Sequence, residues 1–345
     1  MNGGNAMQTD AAAMAAETPG LVVRPYAGEA DLPEMVRIQN AEWEADGLSY
    51  RETVAEQVAW FGHVSEQFNP ARDVTIAELN GTIVGHAQRD WVDATDGVRE
   101  YRGRGAVDPA WRRRGIGRAL ATDGERQAAD LAATHDTDRP RVLGVFTEGR
   151  NGGANALVAA MGYQPARWFF DMERPRIDSD LPAIEPLPAG IEVRPVTDDH
   201  LRAIWQADIE AFRDHWGGHD ESEEAFLRRR DSPDFDPSLW VVAWDGDEVV
   251  AGSLNTIYSH ENEAIGLRRG WLDSVFTRRA WRRRGIAGGL IVRSLHLLAE
   301  RGMDTAALGV DADNPSGALR LYESLGFAVS ERGTAWRKPM EEPWT

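Results

Sequence analysis

The chain contains no cysteine in its 345 residues. Disulfides, thiolate metal sites and cysteine nucleophiles are therefore excluded. Lysine is nearly as scarce, with Lys338 the only one. Because basic positions are arginine almost everywhere, the clustering of arginines carries information and the choice of arginine over lysine does not. No apolar run approaches the roughly 18 residues that span a bilayer. Residues 1–20 also lack the basic start and continuous apolar stretch of a secretion signal, and they read as a disordered tail on a soluble, cytoplasmic protein. Positive charge is in deficit, 38 basic against 56 acidic residues for a net charge of -18. Such a surface repels phosphate at long range, which argues against nucleic acid and anionic membranes as partners. Acidic and histidine residues show no fixed metal-ligand spacing, so no metal is expected.

What is present is a long repeat. Residues 111–117 read WRRRGIG and residues 281–287 read WRRRGIA, and the same interval separates Val23-Arg24-Pro25 from Val193-Arg194-Pro195. A period of this length means a duplicated domain, since solenoid repeats run to only about 20–50 residues. The length and the 42% hydrophobic content supply a core for each copy. Each copy shows two strand-like runs joined by a two-residue turn, Asn80-Gly81 in one and Asp245-Gly246 in the other. A strand ending near Val107 or Thr277 then runs into the heptad, which opens a helix with Ile116 and Leu120, or Ile286, Leu290, Ile291, Leu295 and Leu298, on one apolar face. Another strand follows in each copy, then a helix closed by Gly162-Tyr163 or Gly326-Phe327. Residues 174–190, rich in proline, form the linker between domains at 21–173 and 191–345. The expected fold is α/β, a mixed sheet in each domain with helices packed on it.

The heptads place arginines and small residues between a strand and a helix. A helix N-terminus offers unpaired N–H groups and the positive end of its dipole, glycines let a pyrophosphate come close, and arginine forks add charge-assisted bonds. A solvated basic turn is the other reading of one such stretch; two copies in the same setting favour an anion cradle. Neither copy has the Gly-Lys-Ser/Thr ending of a Walker loop.

Arg-x-x-Gly-x-Gly at Arg112, Gly115 and Gly117, and Arg-x-x-Gly-x-Ala at Arg282, Gly285 and Ala287, resemble the acetyl-coenzyme A loop of the GNAT N-acetyltransferases. Residues 308–327, LGVDADNPSGALRLYESLGF, resemble that family's closing segment. With two such copies the chain is similar to tandem GNAT-like acyl-CoA N-acyltransferases of the mycothiol synthase type, over roughly residues 21–340. The resemblance implies acetyl-CoA as co-substrate and a small-molecule amine as acceptor. In the second copy the coenzyme would meet Arg282, Arg283, Arg284, Gly285, Ile286, Ala287 and Asn314, and in the first Val107, Arg112, Arg113, Gly115 and Gly117. The amides of Val275, Phe276 and Thr277 would receive the thioester and pantetheine.

With cysteine absent, direct attack of the amine on the thioester is the economical mechanism. By the resemblance Tyr322, four residues before Gly326, is the acid toward the departing thiolate, on a helix capped by Asn314 with Pro315 in its first position. The other reading of Tyr322 is a packed helix residue with its hydroxyl at the rim. Val158 holds the matching place in the first copy, so the first domain is expected not to be catalytic. Asp273 and Glu263 are candidate bases, as are Asp214, His215, His219 and Asp220 in the DHWGGHD stretch. His86 and His260 stand alone and receive no role. Two functions remain: an acetyltransferase working through its C-terminal domain, and a non-catalytic acyl-CoA sensor, with Tyr322 favouring the first.

Overall fold

The computed structural model describes residues 18–213, 215–218, 220–314 and 317–340. Most of the tail, Asp214, His219 and Pro315 lie outside them. In chain order the elements are β1 (Leu21–Pro25), α1 (Leu32–Ala45), α2 (Val54–Gly62), α3 (Pro70–Asp73), β2 (Val74–Leu79), β3 (Thr82–Asp93), β4 (Arg99–Val107), α4 (Ile116–Ala132), β5 (Arg141–Glu148), α5 (Gly152–Ala160) and β6 (Gln164–Pro175). There follow β7 (Ile191–Arg194), α6 (Leu201–Phe212), α7 (Glu223–Arg230), β8 (Val241–Asp245), β9 (Glu248–Thr256), α8 (Ser259–Ile265), β10 (Arg269–Thr277), α9 (Ile286–Glu300), β11 (Thr305–Asp311), α10 (Ala318–Ser324) and β12 (Ala328–Pro339).

The chain divides into two compact units. The first holds the chain up to Ala166, Ser222–Arg228 and the residues from Thr334 onward. The second holds Arg167–Glu221 and Arg229–Gly333. The units depart from the sequence halves at their closing strands. In the first unit the sheet runs β1-β2-β3-β4-β5 and is closed by the last residues of β12, with the Met340 amide donating to the Arg141 carbonyl at 3.1 Å. In the second it runs β7-β8-β9-β10-β11 and is closed by β6, which pairs antiparallel with β11 from Thr305↔Pro175 to Asp311↔Phe169. The closing strand of each unit therefore comes from the other half of the sequence.

From β1 to β5 and from β7 to β11 with β6 the pairs are antiparallel except for one in each unit, β4 with β5 and β10 with β11. A crossover helix joins each parallel pair, as parallel pairing requires. α4 puts Ile116 and Leu120 onto Leu21, Ala77, Leu79 and Val84, and α9 puts Ile286 and Leu290 onto Val241, Ala243 and Val250. The opposite face is covered by α1 and α2, with Leu32, Met35 and Phe61, or by α6, with Ile204, Ala207 and Ala211.

The first hairpin turns at Asn80 and Gly81, at φ 51° and 83°. The second does not turn at Asp245-Gly246. Asp245 still pairs with Glu248, so the turn residues are Gly246 and Asp247, and only Gly246 is left-handed, at φ 57°. A glycine at the first turn position suits the type II′ geometry, which asks for positive φ there alone.

Candidate active site

Each heptad ends in the same backbone shape. Arg113 and Arg283 are left-handed at φ 66° and 60°, and Gly115 and Gly285 at 80° and 78° cap the helices that start at Ile116 and Ile286. Left-handed residues alternating with ordinary ones turn successive amides to one side, making a concave anion site at the head of a helix. A Cβ on Gly285 would meet nothing within 4 Å, so glycine is required there by its φ and by approach from outside. The first arginine of each heptad braces the loop. Arg112 forks onto Asp46 at 2.7 and 2.9 Å, and Arg282 donates to the Thr277 carbonyl at 3.0 Å and the Ala211 carbonyl at 2.8 Å. Arg113, Arg114, Arg283 and Arg284 are left exposed around the helix ends.

Beside each loop the parallel strands separate. β4 and β5 pair from Arg99↔Arg141 only to Gly103↔Val145, and β10 and β11 from Arg269↔Thr305 only to Trp271↔Ala307. The Arg278 amide donates to the Val250 carbonyl at 2.9 Å, and the Asp108 amide to that of Val84 at 3.0 Å. Amides alternate sides along a strand, so Val275 and Thr277, and likewise Gly105 and Val107, turn theirs to the edge that the parallel neighbour has left. Phe276 does not join them: its amide faces β9, and its ring is buried opposite Gly252.

In the first unit the separation opens a cleft of about 560 Å³, from Arg112, Arg113 and Gly115 past Gly105 and Val107 to Val158 and Tyr163. Gly117 stands where a Cβ would come within 3.4 Å of Leu157, so α4 and α5 approach closely along the cleft. Glu42 lines it as well, taking hydrogen bonds from Asn151 and Arg112 while burial pushes its pKa up to about 7.

The second unit carries the phenol. Tyr322 is buried among Met172, Leu295, Leu298 and Phe327, its ring edge-on to Phe327 at 6.1 Å. Burial raises its pKa to about 12, so it keeps its proton at neutral pH. The helix carrying it opens at Ala318 behind a left-handed Gly317 at φ 80°, and not at Asn314. Asn314 instead turns back at the end of β11, its amide donating to the Asp311 carbonyl at 3.1 Å. Asp273 lies on β10 where the strands part. Water reaches its carboxyl, yet the surrounding protein raises its pKa against the opposing effects of Thr256, Arg229 and Tyr258, whose hydroxyl donates to it at 3.2 Å. Glu263 is exposed on α8. Its neighbours Glu261 and Asn262 hold Arg269 at the far end of β10, so Glu263 is not brought to the separation. His215 packs on Phe212 at 4.4 Å, and Asp220 is half-buried.

Residues 201–327 match the Acetyltransferase (GNAT) family, and residues 70–165 match the Acetyltransferase (GNAT) domain. A mycothiol acetyltransferase of Streptomyces avermitilis is 31% identical over 261 residues, 74% of this chain and 76% of that protein. One from Frankia alni is 30% identical over 332 residues, 93% of this chain and 96% of its own. This chain belongs to the GNAT acetyltransferase family. A GCN5-related N-acetyltransferase from Sphaerobacter thermophilus, 25% identical, shares the fold with a TM-score of 0.69 over 94% of this chain and 98% of its own. As a tandem GNAT enzyme the protein is an acyl-CoA-dependent N-acetyltransferase with acetyl-CoA as co-substrate and a small-molecule acceptor. The twin cradles fit that co-substrate: each sets a left-handed glycine, helix amides and exposed arginines beside strand amides left open to a thioester.

Sequence reasoning missed His86. It is 2% exposed, lines the cleft of this GNAT enzyme's first unit and makes no hydrogen bond of ordinary geometry through either ring nitrogen. Burial and the charge of Arg104 pull its pKa down to about 4, with the Met35 backbone opposing them weakly. The available signal was its alternation with Gln88 along β3, which puts both on one face. Asp208 of α6 was also missed; it accepts from the Ser274 hydroxyl at 2.6 Å on the face of the second unit's sheet that α6 covers. Among the described residues no helix is long and apolar enough to cross a membrane, and no group of three or more acidic or histidine residues is arranged to hold a metal.

Proposed function

We propose that the enzyme acetylates a primary amine of a small molecule by direct attack on acetyl-CoA, with the chemistry in the second unit. The acceptor is of the kind for which the mycothiol acetyltransferases are named, an unacetylated mycothiol-type amine. The observation that carries this reading is the pairing of Tyr322 on α10 with Val158 on α5. Both side chains are buried at the matching place, and only one has a proton to give.

The steps follow from the groups present. The ammonium of the acceptor loses a proton to Asp273, directly or through water, and the raised pKa of that carboxyl suits it to the task. The free amine attacks the thioester carbonyl carbon. Negative charge gathers on the carbonyl oxygen, for which the edge amides of Val275 and Thr277 are the available donors. The carbon–sulfur bond breaks, the thiolate takes the Tyr322 proton, and the surplus proton of the new amide nitrogen passes through water to the phenolate, leaving amide, free coenzyme and a neutral Tyr322. With no cysteine in the chain, no acyl-cysteine intermediate competes.

In the first unit the cleft supports coenzyme binding without turnover, since Val158 supplies no acid. The test is a screen of primary amines, an unacetylated mycothiol amine among them, with acetyl-CoA and thiol release as the readout. It is repeated on Gly115→Glu and Gly285→Glu. Turnover that survives Gly285→Glu and is abolished by Gly115→Glu in a folded protein would put the chemistry in the first unit instead.

A further inference from the structure

Four positions on one face of the third and fourth strands of each unit wall the region where the parallel strands part. In the first unit they are His86, Gln88, Arg104 and Ala106, paired as His86↔Ala106 and Gln88↔Arg104. In the second they are Gly252, Leu254, Ser274 and Phe276, paired as Phe276↔Gly252 and Ser274↔Leu254. The second patch is apolar and filled: Phe276 lies over Gly252, and Ser274 is satisfied by Asp208. The first is polar and open. His86 lies buried beside Ala106, while Arg104 is exposed, with Gly103 and Gly105 putting bare backbone on both sides of it and open space beyond Gly103.

Arg104 lacks a carboxylate partner among the described residues. Its Nε and Nη2 donate to the Gln88 amide oxygen at 3.2 and 2.7 Å, and its guanidinium stands 5.5 Å from the Trp60 ring. The nearby acids are engaged elsewhere. Asp90 is paired with Arg102 at 2.6 Å, and Glu52 takes a hydrogen bond from Gln57 at 2.7 Å while burial pushes its pKa up to about 7. Arg104 is therefore exposed to the cleft with only neutral hydrogen-bond partners, Asp90 and Glu52 acting on it only through space, and the surrounding protein pulls its pKa down. His86 stands beside it on the same face of the sheet, its ring nitrogens sealed from solvent.

We propose that the cleft of the first unit selects acyl-coenzyme A thioesters whose acyl group ends in a carboxylate, of the malonyl or succinyl class, with Arg104 receiving the carboxylate. This rests on the reading of that cleft as a coenzyme site and goes beyond it in naming the acyl group. The free amides of Gly105 and Val107 follow Arg104 on the same strand. A thioester carbonyl held there lies a short acyl chain away from the guanidinium, whereas an acetyl group ends before reaching it. A carboxylate bound by arginine through paired hydrogen bonds gains both strength and direction. In the second unit the same position offers a serine already in use and a phenyl ring, which suits an acetyl group.

The test is calorimetric titration of the full chain with acetyl-CoA and with succinyl-CoA, on the wild type and on Gly285→Glu, which isolates the first unit. Succinyl-CoA is expected to bind the first unit about tenfold or more tighter than acetyl-CoA, and Arg104→Gln to bring it down to the acetyl-CoA value. The wild type, resolving two sites, gives the same answer if Gly285→Glu does not fold. Equal affinities, or a preference that survives Arg104→Gln, overturns the inference and leaves the coenzyme reading standing. Absence of any coenzyme binding in the first unit overturns both, while amine turnover of the wild type reports separately on the second unit. A raised KM for the acceptor amine in Arg104→Gln without any acyl-CoA preference would assign the cation to an acceptor anion and overturn the inference as well.

Discussion

Replacing Tyr322 with phenylalanine isolates one proton. The ring contacts with Phe327, Leu295, Leu298 and Met172 survive, because only the hydroxyl is removed. Among the described residues that hydroxyl makes no hydrogen bond, so its loss leaves no orphaned partner and stability should stay within about 0.5 kcal/mol of wild type. Turnover should fall by about 10²–10⁴ if the phenol contributes the usual share of general acid catalysis. At 1.36 kcal/mol per tenfold this is about 2.7–5.4 kcal/mol of barrier. The assay follows thiol release under saturating acetyl-CoA and amine, with coenzyme affinity measured separately by calorimetry. A fall in kcat with unchanged coenzyme affinity and an unchanged melting temperature is the expected pattern. Since the phenol holds its proton to about pH 12, the wild type should show no alkaline loss of activity from Tyr322 below about pH 11. Phenylalanine at 322 retaining turnover within threefold of wild type would refute the assignment.

Gly285→Glu sets a charged side chain on a left-handed residue at the mouth of the second cradle and should abolish turnover, while Gly115→Glu should remove coenzyme binding in the first unit and spare turnover; rates and binding stoichiometry read the two effects apart. His86 has a folded-state pKa pulled down to about 4 from 6.5. The unfolded chain takes up a proton between those values that the folded chain refuses, so the stability tied to the neutral ring is whole above pH 6.5 and lost toward pH 4. The loss should be on the order of 3 kcal/mol at 1.36 kcal/mol per pH unit. Urea unfolding of His86→Phe should show a flatter dependence across that window, and an unaltered slope would exclude His86 as its source. A Cβ at Gly252 would overlap the Phe276 ring. Gly252→Ala should therefore destabilise by about 1–3 kcal/mol in thermal melts, with partial recovery on adding Phe276→Leu.

The repeat made the two-domain plan legible, because each heptad sits at the same strand-to-helix junction and each junction folds alike. The helices from Ile116 and Ile286 and the strands to Val107 and Thr277 lie where apolar periodicity puts them. What pattern could not carry was the choice between equal local solutions. Gly246 can be the first or second residue of a turn, and only the register of Asp245 with Glu248 decides. Asn314 has the chemistry of a cap, but a left-handed glycine three residues on takes the position. That the Phe276 amide is turned away while those of Val275 and Thr277 reach the open edge escaped for a similar reason: alternation depends on which residue faces β9, and that is fixed by a long-range pairing. His86 looked isolated in sequence because its companions Arg104 and Ala106 reach it only across the hairpin.

Because β5 in the first unit is bordered by residues emerging from the ribosome almost two hundred positions later, synthesis order constrains folding. At translation rates of about 5–20 residues per second, the nascent first unit waits roughly 10–40 s with that edge uncovered. Its unpaired backbone is a template for any passing strand during the interval. β12 thus completes a unit whose other strands were made long before it, and a stop codon shortly before Thr334 would deprive the N-terminal unit of its closing strand.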